Sequence, residues 1–157
     1  MVVAFLILEG TPFLAEFPSA VAAVECAVEF QNEIKTRNAS DKTTVPLKFR
    51  IGVNSGDVIK EKGNLLGDGV NIAARLEALA QTGGVTISKG VYDYVKGKTK
   101  HEYNDLGIQK VKQNEFHAYD LLLDPSQKRK LKTQKSNMPL IGVITVVLSI
   151  GLVGLLY

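Results

Sequence analysis

GDGVNIAARLEALA, residues 67–80, decides how this chain is read. Two glycines flank Asp68, and an amide and a guanidinium, Asn71 and Arg75, follow four residues apart. Ile72, Leu76 and Leu79 recur at helical spacing, so the run predicts an amphipathic helix that leaves a glycine-broken loop and ends near Thr82-Gly83-Gly84. Positions i and i+4 share a helix face, which puts Asn71 and Arg75 side by side while the apolar residues hold the other flank to a sheet. An amide beside a guanidinium, behind a glycine-rich loop, suits a ribose oxygen and a phosphate. Arginine offers planar, multi-donor contact to charge developing on phosphorus. The residues alone leave a plainer alternative open: an exposed arginine paired with a glutamate, and an asparagine that shares its face. The loop lacks the GxxxxGK[ST] pattern of a P-loop. Its glycine spacing is not that of a dinucleotide fingerprint either.

Working outward, KFRIGVNSGDVIK (48–60) carries β-favouring residues on both sides of Asn54-Ser55-Gly56 and predicts a hairpin about that turn. Upstream, Ser19 can cap a helix running to about Asn38, whose alanines suggest close packing on a sheet. MVVAFLIL, EGTP and FLAEF read as strand, turn and strand. Downstream, VTIS is a short strand, Ser88 opens a small helix through Val95, and HEYNDLG and NEFHAYDLLL are strands. Hairpins mixed with helices predict an α+β sheet covered on one side by helices.

The chain has 157 residues, 45% hydrophobic and 22% charged, enough for one domain of ordinary size. Residues 1–123 hold 14 Lys/Arg against 15 Asp/Glu, so the folded part offers no basic surface for nucleic acid. The positive charge sits in a short run, Lys128, Arg129, Lys130, Lys132 and Lys135. After it, MPLIGVITVVLSIGLVGLLY (138–157) is uncharged and, as a helix, about 30 Å long, which predicts a single-pass transmembrane helix. Positive flanks stay on the cytoplasmic side, which would place residues 1–123 in the cytoplasm. The expected organisation is a domain over 1–123, a basic juxtamembrane linker over 124–137 and a membrane helix over 138–157. The single cysteine, Cys26, stands among alanines and valines and is expected to be a small buried hydrophobe. His101 and His117 lack metal-ligand spacing and are expected to be structural. Asp57 and Asp68 could hold Mg²⁺, but each adjoins a glycine where carboxylates commonly serve turns and caps.

RIGVNSGDV (50–58), GNLLGDGVNIAARLEALAQTGGVTIS (63–88) and DLG (105–107) together resemble the class III adenylate/guanylate cyclase catalytic domain of the bacterial type, over roughly residues 13–122. FLAEFPSAVAAVECAVEFQNEI (13–34) is similar to the strand and long helix that follow the family's metal-binding hairpin. The resemblance implies a ferredoxin-like α+β fold and conversion of ATP or GTP to a 3′,5′-cyclic nucleotide and diphosphate. The chemistry takes place at the interface of a head-to-tail dimer. One subunit's two aspartates hold Mg²⁺ or Mn²⁺. The other subunit supplies a base-reading pair, a ribose-orienting Asn and a phosphate-binding Arg. By match to the motif, Asn71 and Arg75 take the last two roles.

The departures are as informative. Ile7 stands where the resemblance implies a base-reading lysine, Asn64 where it implies the base-reading aspartate, and Thr11 where it implies a metal aspartate, with Pro12 beside it. Glu9 lies near that turn but off register. The other metal aspartate belongs to a first strand, followed by a helix, with no counterpart in this sequence; MVVAFLIL is expected to refill part of that gap. Thr11 cannot replace a carboxylate on a divalent cation in charge or geometry. The expectation is therefore a truncated or degenerate cyclase domain, lacking its first strand and helix, dimeric and inactive alone. Two alternatives stand beside it: a heterodimer subunit contributing Asn71 and Arg75 to a complete partner, and a non-enzymatic, membrane-associated interaction domain.

Overall fold

Alternation along one strand sets the architecture. In β3 (Phe49–Ser55), Ile51 and Val53 join one buried cluster with Ala23, Val24, Ala27, Val91 and Val95, while Gly52 and Asn54 face the opposite side of the sheet. The computed structural model describes residues 2–8, 11–61, 64–111 and 114–131. The other elements are β1 (Val2–Leu8), β2 (Thr11–Phe17), α1 (Ala20–Ser40), β4 (Ile59–Glu61), β5 (Asn64–Leu66), α2 (Asp68–Leu79), β6 (Val85–Ser88), α3 (Lys89–Val95), β7 (Glu102–Val111) and β8 (Asn114–Leu122). A 3₁₀ turn, Pro125–Gln127, follows β8.

Six strands form one sheet in the order β2-β1-β3-β6-β8-β7. Only β3 and β6 pair in parallel among these neighbours; the rest are antiparallel. β1 lies inside the sheet, as expected for a strand refilling a gap: Phe5 faces Leu14 on one side and Gly52 on the other. Its β-branched and aromatic residues favour that doubly paired position.

Helices cover both faces, not one. α1 and α3 pack on the face carrying Ile51, Val53, Val85, Ile87, Tyr119 and Leu121. α2 lies on the other, where Leu76 meets Leu106 and Ala118. The reason is Gly52. A side chain there would come within 2.2 Å of the Ala73 carbonyl and 2.3 Å of the Glu77 amide, so α2 rests directly on β3 backbone. Ser19 caps α1 as expected, its hydroxyl accepting from Ala22 N–H at 3.1 Å.

Three further expectations are corrected. The hairpin about Asn54-Ser55-Gly56 does not form: β3 pairs with β1 and β6, and β4 instead pairs with β5 in a separate two-stranded sheet. Asn54 points back into the domain, donating to the Gly69 carbonyl at 3.0 Å. Cys26 is exposed, because it falls between the buried stripe of Ala23, Val24, Ala27 and Val28 and the acidic outer face of α1.

The third correction concerns the membrane. Among the described residues no helix is long and apolar enough to cross a membrane, since α1 and α2 each carry charge along one side. Residues 138–157, on which the transmembrane helix rests, lie outside the described residues. The architecture is an α+β fold, a six-stranded mixed sheet with helices on both faces, without a membrane helix among those residues. Among the described residues, therefore, nothing supports the expected membrane partner or the single-pass cytoplasmic placement.

Candidate functional site

The entry to α2 is built by close backbone approach. Gly67, its N-cap residue, has φ = 125°, a conformation that side-chain-bearing residues rarely adopt. A Cβ on Gly69 would meet the Asp57 carbonyl at 2.8 Å. The loop after β3 and the first turn of α2 are thus pressed together, which explains the G-D-G spacing. Asp68 sits in that first turn, where its charge complements the helix dipole. Asn54, Ser55, Asp57, Gly67, Asp68 and Ile72 line an open cleft of ≈ 460 Å³ at this end of the sheet.

Asn71 is exposed and Arg75 half-buried on the same flank of α2. Arg75 Nη1 is buried and finds no acceptor among the described residues. An orphaned buried donor typically costs about 1–3 kcal/mol, so this guanidinium is set up for an acceptor. The helix is held down on its other flank by Glu77, 2% exposed, which accepts from Arg50 Nε at 2.7 Å. Sequence reasoning missed this pair. A glutamate at a buried helical position, opposite an arginine two residues before the strand glycine, was the available signal.

The remaining predicted site positions lie on other elements. Ile7 lies in β1, in register with Pro12 and Arg50. Thr11 begins β2 opposite Leu8, and Glu9 lies outside the described residues. Asn64 opens β5 opposite Glu61, in the separate small sheet. Asp57 and Asp68 meet at the cleft, but among the described residues no group of three or more His, Cys, Asp and Glu could hold a metal ion. Thr11 opens β2 with Pro12 after it, and residues 9 and 10 of the turn before them lie outside the described residues. His101 bonds Glu25 at 3.1 Å, and His117 bonds Asp105 at 2.6 Å while stacking on Tyr119; both are structural.

The strand order, the two-sided helical cover and the α2 entry match a known domain. The family profile of the adenylate and guanylate cyclase catalytic domain matches residues 4–123. This chain belongs to that family. The cyclase domain is 46% identical over 121 residues to "Putative adenylate cyclase 3" of Rhizobium meliloti (strain 1021), covering 77% of this chain and 21% of that protein. It therefore spans about a fifth of that relative's length. Its fold is similar to an adenylate/guanylate cyclase/hydrolase from Silicibacter pomeroyi, with TM-score 0.70, 26% identity and coverage of 79% of this chain and 98% of that one. The adenylyl cyclase CyaB from P. aeruginosa shares the fold at TM-score 0.63 and 19% identity, over 83% of this chain and 96% of that one.

Proposed function

We propose that this class III cyclase domain is a nucleotide-binding partner that does not turn over a triphosphate by itself. The observation that carries the reading is Arg75: a guanidinium whose buried Nη1 lacks an acceptor, one helical turn from exposed Asn71 and on the helix that borders the cleft. A triphosphate oxygen supplies the missing acceptor, and Asn71 supplies an amide for a ribose oxygen. Arg75 would stabilise charge on phosphate oxygens as the ribose 3′ oxygen attacks the α-phosphorus.

Family members use divalent cations to drive that attack. Thr11 supports the opposite for this chain alone, because a neutral hydroxyl does not anchor such an ion. Ile7 and Asn64 support weak base selection, since an apolar side chain leaves a purine's polar edge unpaired. The test is calorimetric titration with ATP and with GTP in the presence of Mn²⁺, alongside an assay for cyclic nucleotide. Weak binding that disappears in Arg75→Ala, without product, is the expected outcome. Robust Mn²⁺-dependent turnover by the purified chain would end the reading.

A further inference from the structure

At the opposite end of β3 from the cleft, three stretches of chain enclose a second hollow. The C-terminal half of α1, residues 46–48 and the chain after β8 line a cavity of ≈ 310 Å³. That is the lower end of the roughly 300–1,000 Å³ typical of small-molecule sites. Each wall is pinned. Asn38 of α1 donates to the Leu47 carbonyl at 2.7 Å and accepts from the Leu47 N–H at 2.9 Å. After β8 the chain passes through its 3₁₀ turn and returns to the domain. There Arg129 Nε donates to Asp120 Oδ2 at 2.7 Å, and Nη2 donates to the Leu79 carbonyl at 2.6 Å. Within the return, Gln127 Oε1 accepts from Leu123 N–H at 3.1 Å, and the Gln127 carbonyl accepts from Gln81 Nε2 at 2.8 Å. The cavity is therefore built into the fold.

Its lining has three chemical parts. Ile34, Leu47 and Leu123 supply apolar wall. Lys35 and Lys48 are exposed and form no ion pair among the described residues. The lining's one carboxylate, Asp124, feels the charge of Lys35 and accepts from Ser126 N–H at 2.8 Å. Two cations against one anion leave the lining positive. Gln31 is the third part. It is 4% exposed, and its Nε2 donates to the Phe49 carbonyl at 3.3 Å and to the Gly84 carbonyl at 3.0 Å. Those bonds fix the amide, while its Oε1 accepts from no donor among the described residues and belongs to the cavity lining. A ligand N–H or O–H is the partner it lacks.

We infer that this cavity binds a small organic carboxylate whose compact apolar body carries one N–H or O–H donor. The carboxylate meets Lys35 and Lys48, the body displaces water from Ile34, Leu47 and Leu123, and the donor reaches Gln31 Oε1. The site shares no residue with Asn71 and Arg75 and does not depend on the nucleotide reading.

The chain has no tryptophan, so the emission of an indole ligand can be followed without an indole background. The full chain is titrated with indole-3-acetate, which carries an anion, an apolar bicycle and one N–H. Saturable binding is expected, with Kd on the order of 0.1–1 mM for a ligand this small. Lys35→Glu combined with Lys48→Glu should weaken it about tenfold. The same charge change at Lys98 and Lys100, which do not line the cavity, should leave it as it was. Naphthalene-1-acetate, which lacks the N–H, should compete about fivefold more weakly, the loss of one hydrogen bond. Tryptamine, with a cation in place of the anion, should not compete. The proposal is overturned by absence of saturable binding, by an unchanged Kd in the Lys35/Lys48 variant, or by equal weakening in both lysine variants. Equal competition by tryptamine overturns it as well, and equal competition by naphthalene-1-acetate overturns the role of Gln31.

Discussion

Helix α2 and the β1–β2 hairpin adjoin the same strand, β3, and are held to it differently. Around α2 the fit is atomic. Gly52 admits the helix backbone, Gly67 makes its entry, Gly69 touches the preceding loop, and Asn71 and Arg75 stand on the result. The hairpin is described by its ladder. β1 pairs in unbroken register with β2 and β3 from Val2 to Leu8, yet Ile7 and Thr11 stand where the resemblance implies lysine and aspartate. The contrast teaches that strand pairing and site chemistry are separable. A ladder is built from backbone groups that any β-favouring residue supplies, whereas cation binding needs particular oxygens.

Gly52→Ala would break the comparison most severely. Its Cβ would lie 2.2 Å from the Ala73 carbonyl, against backbone that cannot rotate away. A loss of at least about 3 kcal/mol, or failure to fold, is expected in denaturant titration. A loss under about 1 kcal/mol would show that α2 is not seated as described. Arg50→Ala comes next. It leaves Glu77, 2% exposed, without its cation. Complete loss of a partner for a buried charge costs about 3–5 kcal/mol; with Arg50 itself 43% exposed, about 2 kcal/mol is expected by thermal melting. Equal stability in Arg50→Ala and the parent would mean the pair holds nothing down. The smallest effect belongs to the hairpin: Thr11→Asp, at the end of β2, should change stability by no more than about 0.5 kcal/mol. It should also leave the chain without cyclase activity, because one carboxylate does not make a two-ion site. Turnover gained from this single change would show that the second anchor is already present.

Much of this was legible beforehand, for identifiable reasons. The α1 cap at Ser19, the α2 helix and the VTIS strand were local signals with little competition. The hairpin at Asn54-Ser55-Gly56 was misread because turn-forming residues also serve a strand end whose asparagine bonds a distant carbonyl, here Gly69. Cys26 was misplaced because an alanine-rich helix does not show, from composition, where its buried stripe ends. The return of residues 124–131 onto the domain was invisible for a different reason. Five basic residues in a short run read as a solvated linker, and nothing local shows that Arg129 turns inward to a buried aspartate nine residues earlier.

Read alone, the residues determine which groups are available: an amide and a guanidinium one turn apart, a hydroxyl and an isoleucine at the hairpin, a glycine-marked helix entry. Those are properties of identity and spacing, which survive in one dimension. Which face each helix covers, which glycine carries a helix on its backbone, and which charges are paired out of water belong to the folded molecule alone. They depend on contacts between residues tens of positions apart, where burial and strand alternation, not local preference, settle the outcome.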